Sequence, residues 1–73
     1  DILIADRQGA IWMIIECKAP MINLSEKTLL QAAQYAGSSK SKYLMLTNGN
    51  EVFLASLDPS PQHISYWPDY NSG

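Results

Sequence analysis

The alternation of apolar and polar positions divides the chain into short strands and one helix. Runs rich in β-branched and aromatic residues predict strands, and an apolar stripe at helical spacing predicts a helix. The predicted order is strand, strand, helix, strand, strand, at residues 1–5, 11–18, 25–36, 43–47 and 51–57. A connection through a helix permits a parallel pair of strands within an otherwise antiparallel sheet. The pattern therefore indicates an α/β (α+β) fold, a mixed sheet crossed by one helix.

The first two predicted strands form a hairpin, and its register determines which side chains meet. Residues 6–9, Asp-Arg-Gln-Gly, supply the turn, and a four-residue loop would place Asp1 opposite Glu16. Side chains two residues apart in a strand point to the same face. Asp1, Glu16 and Lys18 are therefore expected on one face at one end of the hairpin, and the same parity places Trp12 on that face.

The helix and the second hairpin carry their own local signals. Asn23 or Ser25 can cap the helix at its start, and Gly37 is a natural stop at its end. A narrow stripe of small side chains would pack on the sheet, at Leu29, Ala32, Ala33 and Ala36. Asn48-Gly49 is the strongest hairpin signal in the chain. The sequence thus predicts a helix lying close against the sheet, followed by a tight reversal between two strands.

Length and composition confine the chain to one small domain. It has 73 residues, of which 47% are apolar and 16% charged, so its core is only marginally sufficient. We expect this core over 1–58 and an irregular or edge tail over 59–73, where Pro and aromatic residues accumulate. No uncharged run approaches the roughly 20 residues of a membrane span. A single cysteine fits a reducing compartment, so the expected location is the cytoplasm.

The acidic end of the first hairpin carries the candidate chemistry. The net charge of −2 gives no general basis for nucleic-acid binding, so such a role needs a local site. Two carboxylates held close on a sheet repel each other, and Mg²⁺ relieves that repulsion by binding oxygen ligands. A neighbouring lysine can orient water or a phosphate oxygen, as metal-assisted phosphodiester hydrolysis requires. Spacing alone favours a simpler alternative, a solvent-facing ion pair between Glu16 and Lys18 worth about 0–1 kcal/mol.

An acid followed by Glu-x-Lys on the neighbouring strand resembles the PD-(D/E)XK nuclease superfamily. Gln31 and Tyr35, on one helix face, resemble the Q-x-x-x-Y motif that follows the lysine in several of its branches. The stretches ECKAP (16–20), YLMLTNG (43–49) and WPDY (67–70) narrow the match. Together, these motifs resemble the N-terminal nuclease domain of the type I restriction enzyme R subunit, over nearly the whole chain.

This resemblance implies a restriction-endonuclease-like fold whose N-terminal helix and first strand are missing from this chain. It implies Mg²⁺-dependent cleavage of double-stranded DNA, with other restriction-system subunits as partners. The implied catalytic residues are Asp1, Glu16, Lys18, Gln31 and Tyr35. Mg²⁺ would be held by Asp1, Glu16 and the backbone carbonyl of Cys17. Lys18 would position or activate water, while Gln31 and Tyr35 would support the site from the helix.

Several alternatives stay open at this point. A non-catalytic module for assembly or DNA docking would keep the same fold and motifs, and a nuclease for RNA or branched DNA would share the same residues. Asp6 is a rival acid, but it lies in the turn at the far end of the hairpin. The Cys17 side chain is expected to be a small buried core residue rather than a nucleophile. Tyr66, Trp67 and Tyr70 are expected to pack at the sheet edge, with base stacking as the weaker alternative.

Overall fold

In the part of the chain that the structure describes, the sheet contains five strands, one more than the sequence predicts. A computed structural model describes residues 2–72 of the chain. Its elements, in chain order, are β1 (Ile2–Ala5), β2 (Ile11–Cys17), α1 (Glu26–Ala36), β3 (Tyr43–Thr47), β4 (Val52–Ser56) and β5 (Gln62–Ile64), with short 3-10 turns at Gly37–Ser39 and Tyr70–Ser72. The architecture is therefore α+β, a mixed sheet crossed by one helix, and this confirms the predicted fold class.

The strands lie side by side in chain order, β1-β2-β3-β4-β5. The strands β2 and β3 are parallel because α1 connects them, and every other neighbouring pair is antiparallel. The predicted parallel pair within an antiparallel sheet is thus confirmed. Cys17 lies opposite Thr47, and the Lys18 N–H donates to the Thr47 carbonyl at 2.7 Å. The end of β2 is consequently fixed against the end of β3.

The first hairpin keeps the predicted register at one end and loses it at the other. Ile2 pairs with Ile15 as predicted, but Ala5 pairs with Ile11 rather than with Trp12. Trp12 is therefore the extra residue of a β-bulge. The prediction that Trp12 shares the face of the Glu-x-Lys motif was wrong, because the bulge turns its side chain to the other face. There Trp12 is buried in a cluster separate from the one beneath α1.

Both ends of α1 lie where the sequence predicts them. Ser25, rather than Asn23, is the N-cap, and its hydroxyl accepts from the Thr28 N–H at 3.1 Å. The helix ends at Ala36 with Gly37 as its C-cap, so the predicted stop is confirmed. Gly37 does not adopt the left-handed conformation typical of such a stop, because its φ is −59° and a 3-10 turn begins there. The left-handed residue of this segment is Lys40, at φ 62°.

Apolar clusters cover both faces of the sheet. The predicted stripe of α1 packs on one face, with Leu29 and Ala33 fully buried and Ala32 and Ala36 half-buried. The sheet contributes to this cluster with Ile14, Leu44, Leu46 and Ala55. The opposite face buries Trp12, Met13 and Leu54. The helix is thus held close to the sheet by small side chains, so that its flanking polar residues come near the end of β2.

The segment after β4 first adds a strand at the edge of the sheet and then crosses the face opposite α1. Its strand β5 pairs antiparallel with β4 at one edge of the sheet. Further along, the Tyr70 ring packs edge-on against Trp12, with ring centroids 5.0 Å apart. The Tyr70 hydroxyl donates to the Ala5 carbonyl at 2.7 Å. Tyr70 therefore packs on the sheet, whereas Tyr66 and Trp67 are exposed.

Candidate functional site

An open groove of about 450 Å³ lies between α1 and the end of β2. Its apolar lining residues are Ile14, Ala32 and Ala36. Its polar lining residues are Glu16, Lys18, Thr28, Gln31 and Tyr35. Four residues of the predicted catalytic set thus line one groove, although two come from a strand and two from a helix. Their catalytic role stays a prediction, but their spatial convergence is a property of the fold.

Glu16 and Lys18 reach the groove because both leave β2 on the face covered by α1. Ile14, two residues earlier, points the same way and belongs to the core beneath the helix. The Lys18 Nζ lies 3.2 Å from the Glu16 Oε1, with the side chains 39% and 29% exposed. An ion pair this accessible to solvent contributes only about 0–1 kcal/mol to stability. Each of the two side chains can therefore exchange this contact for another partner at little cost in stability.

Gln31 and Tyr35 approach the groove from α1. They lie one helical turn apart on the same side of the helix, next to the alanines that contact the sheet. Both side chains are exposed, and Tyr35 is 89% exposed. The helix thus supplies the solvent side of the groove, and the strand supplies the charged pair at its inner side.

Cys17 lies between the two charged residues but points away from them. Its thiol is exposed on the other face of the sheet, so the prediction of a buried side chain was wrong. The reason is its position as the last residue of β2, beyond the cluster around Trp12. Backbone groups of successive strand residues alternate between the two neighbouring strands. Since the Lys18 N–H bonds to β3, the Cys17 carbonyl is directed towards the β1 side.

The donors at this strand end can be compared with the requirements of Mg²⁺. This ion prefers oxygen ligands and usually takes one or two carboxylates, with waters and substrate phosphates completing its shell. Glu16 supplies a carboxylate and Cys17 a backbone carbonyl. Within residues 2–72, no group of three or more His, Cys, Asp or Glu residues could hold a metal ion. Asp1, the remaining predicted ligand, lies outside the described residues. The donors present fit an ion shared with a substrate rather than enclosed by protein.

Asp6, the rival acid, is used by the turn between β1 and β2. Its Oδ1 accepts from the N–H groups of Gln8 and Ala10, both at 2.9 Å. This turn is at the end of β2 opposite to Glu16. The structure therefore separates Asp6 from the groove, because the turn lies at the far end of the hairpin, as predicted.

Asn48 organises the surroundings of the site, and the sequence reading missed this role. Its side chain, in a residue only 5% exposed, accepts from the N–H groups of Asn50 and Glu51 at 2.9 and 2.8 Å. Its Nδ2 donates to the Ile22 carbonyl at 2.8 Å, in the loop that follows Lys18. An Asn before Gly signals a side-chain-closed turn. No pattern in the neighbouring residues predicts the hydrogen bond from Asn48 to the Ile22 carbonyl, which is distant in sequence.

The fold and the groove define a class of protein: a restriction-endonuclease-like α+β domain with a Glu-x-Lys pair at a strand end, facing a helix. A comparison with protein families agrees with this class. The model of the type I restriction enzyme R protein N terminus matches residues 1–69. The chain belongs to this family, and the resemblance drawn from its motifs is confirmed. Comparisons with curated proteins and with solved structures gave no match.

The remaining expectations from the sequence are tested only in part. Among residues 2–72, no helix combines the length and apolar character needed to cross a membrane. The cytoplasmic location, Mg²⁺ and the DNA substrate stay predictions. So does the division into a core over 1–58 and a tail over 59–73, although β5 and Tyr70 of that tail pack on the sheet.

Proposed function

We propose that this domain hydrolyses DNA phosphodiester bonds in an Mg²⁺-dependent reaction, as the nuclease part of a type I restriction R protein. The observation that supports the proposal is the convergence of Glu16, Lys18, Gln31 and Tyr35 on one groove. Family membership supplies the biological setting, a restriction system. Double-stranded DNA is the proposed substrate, and other restriction subunits are the proposed partners.

The charge of the groove explains why a cation is part of the proposal. Glu16 and Lys18 neutralise each other at 3.2 Å, so the pair offers little net attraction to a phosphodiester. Glu16, the Cys17 carbonyl and, by the family motif, Asp1 would hold Mg²⁺. Bound there, the ion would polarise the phosphate and acidify a water molecule.

Lys18 is assigned to orientation of the nucleophile. Its ammonium group has three donors and no acceptor, so it can donate to water or to a non-bridging phosphate oxygen. Gln31 and Tyr35 would donate to neighbouring phosphate oxygens from the helix side. Attack of water on phosphorus forms one P–O bond and breaks the P–O3′ bond. The leaving oxygen takes a proton, which gives a 5′-phosphate and a 3′-hydroxyl.

A non-catalytic module for assembly or DNA docking is the second candidate. Two observations favour it: Glu16 and Lys18 already satisfy each other, and residues 2–72 contain no cluster of three or more metal-binding side chains. Such a module would bind DNA or a partner subunit equally well without a divalent ion. Its binding would also be insensitive to the identity of residue 16.

Cleavage of plasmid DNA by the protein at its natural full length tests the proposal. The informative variants are Glu16→Gln and Lys18→Ala, and the matched controls are Glu51→Gln and Lys27→Ala, which remove exposed charges elsewhere. The groove variants should lower the rate by about 10²-fold or more, the magnitude typical of an essential proton-transfer or orienting group. The controls and the thermal unfolding midpoints should stay unchanged, and a chelator should abolish cleavage.

The same assay decides between the candidates. Cleavage by Glu16→Gln and Lys18→Ala at the wild-type rate would refute the catalytic assignment and point to a contaminant. DNA binding without cleavage by the wild-type protein, indifferent to Mg²⁺, would support the docking module. Faster cleavage of RNA or branched DNA than of plasmid, compared at one salt concentration, would change the substrate class while keeping the residues.

A further inference from the structure

Thr28 is a polar residue of the groove that lies outside the Glu-x-Lys and Q-x-x-x-Y motifs. It is half-buried and lines the groove together with Glu16 and Lys18. It precedes Gln31 by three residues and Tyr35 by seven, so all three lie along one side of α1. The helix therefore presents a row of hydrogen-bonding side chains to the groove, longer than the motif alone provides.

The N-cap of α1 fixes the position of the Thr28 hydroxyl. The Ser25 Oγ accepts from the Thr28 N–H at 3.1 Å and lies 2.8 Å from the Thr28 Oγ1. A hydroxyl has one donor and two acceptor sites. Either hydroxyl can donate across the shorter contact, and in the arrangement in which Ser25 donates, Thr28 keeps its own proton for a third group. Threonine hydroxyls are among the side-chain groups that bind phosphate oxygens in protein–DNA complexes.

We propose that Thr28 donates a hydrogen bond to a DNA phosphate, and that this phosphate differs from the one served by Tyr35. The inference rests on the proposed function. A helix rises 1.5 Å per residue, so the row from Thr28 to Tyr35 is about 10 Å long. Successive phosphates of one strand rise about 3.4 Å along the duplex axis and lie farther apart than this, because the strand winds around that axis. The row is therefore long enough to reach two different phosphates of one strand, one near Thr28 and one near Tyr35.

Substitution of Thr28 separates contact from structure. Thr28→Val keeps the shape and the backbone N–H bond to Ser25 but removes the hydroxyl, whereas Thr28→Ser restores it. We expect Thr28→Val to weaken DNA binding about tenfold, as for a lost hydrogen bond to a charged group. Thr28→Ser should bind within about threefold of wild type on the same basis. Equal thermal unfolding midpoints for both variants would exclude a folding defect.

The decisive readout is the pattern of cleavage around a single methylphosphonate, which replaces one charged phosphate oxygen by a methyl group. Cleavage should be suppressed at the modified phosphate. It should also be suppressed at any phosphodiester bond whose cleavage requires a protein contact with the modified phosphate. The cleavage pattern of the wild-type protein should therefore contain gaps, meaning uncut positions, at fixed distances from the modification. Thr28→Val should restore cleavage at one gap and Tyr35→Phe at a different gap, because each variant no longer contacts the phosphate oxygen that its wild-type side chain binds. This pattern needs no sequence-specific binding register.

Each outcome of this experiment has one interpretation. Gaps that Thr28→Val leaves unchanged, or one gap filled by both variants, would overturn the inference while the proposed function stands. Cleavage that does not depend on Glu16, or no cleavage at all, would instead overturn the proposed function and this inference with it. Separate gaps for the two helix residues would support both.

Discussion

The turn between β3 and β4 allows a quantitative test of how the loop after Lys18 is held. The buried amide of Asn48 makes three hydrogen bonds, two to N–H groups of its own turn and one to the Ile22 carbonyl. The change Asn48→Ala removes all three. The turn would lose the groups that close it, and the loop would lose its link to the sheet.

The expected loss is large for a domain of this size. Each hydrogen bond contributes about 0.5–1.5 kcal/mol net, so three contribute about 1.5–4.5 kcal/mol. A chain of 73 residues has a total stability of about 4–11 kcal/mol, at roughly 0.05–0.15 kcal/mol per residue. At about 4–8 °C per kcal/mol, the unfolding midpoint should fall by about 6–36 °C. At the middle of both ranges, Asn48→Ala should remove about 3 of about 7 kcal/mol, which is roughly 40% of the stability.

Urea unfolding followed by circular dichroism measures this loss. Asn48→Asp keeps the acceptor of the turn but sets a carboxylate oxygen against the Ile22 carbonyl, so it should also be less stable than wild type. Asn50→Ala is the matched control, since Asn50 is exposed, and it should change stability by less than about 0.5 kcal/mol. A loss below about 0.5 kcal/mol for Asn48→Ala would refute the reasoning that this amide holds turn and loop together.

Three further changes test separate parts of the molecule. Cys17→Ser should leave DNA cleavage unchanged, because the thiol is exposed on the face opposite the groove; lost cleavage by a folded variant would implicate the thiol. Tyr70→Phe removes the 2.7 Å bond to the Ala5 carbonyl and should cost about 0.5–1.5 kcal/mol in urea unfolding; an unchanged midpoint would contradict docking of the tail. Lys40→Gly relieves a φ of 62° and should raise stability by up to about 1 kcal/mol; a lower melting temperature would contradict that strain.

Local signals were sufficient for most of the fold. The helix, its packing stripe and the strands beside it follow from spacing and turn residues, and the helical connection predicts the parallel pair. The bulge at Trp12 could not be predicted, because no Gly or Pro marks it and its partner Tyr70 is distant in sequence. The strand β5 was also missed, since its three residues, Gln-His-Ile, have no alternating pattern and pair only because β4 offers an edge.

In the candidate site, too, some features follow from the local sequence and others depend on tertiary packing. Motif resemblance identified Glu16, Lys18, Gln31 and Tyr35 as a set, and strand parity placed the first two on one face. That the helix residues line the same groove depends on how α1 lies across the sheet, which is a tertiary property. No motif marks Thr28, because a threonine in a first helical turn usually serves the cap, as its contact with Ser25 also does.

The small side chains of Ala32 and Ala36 have a consequence for the width of the groove. Both line the groove and both also pack at the border of the core, so their methyl groups set the separation between helix and strand. Longer side chains there would either push the helix away from the strand or fill the groove. Relatives that differ at these two positions should therefore differ in the width of the groove, a distinction that a motif search on charged residues would overlook.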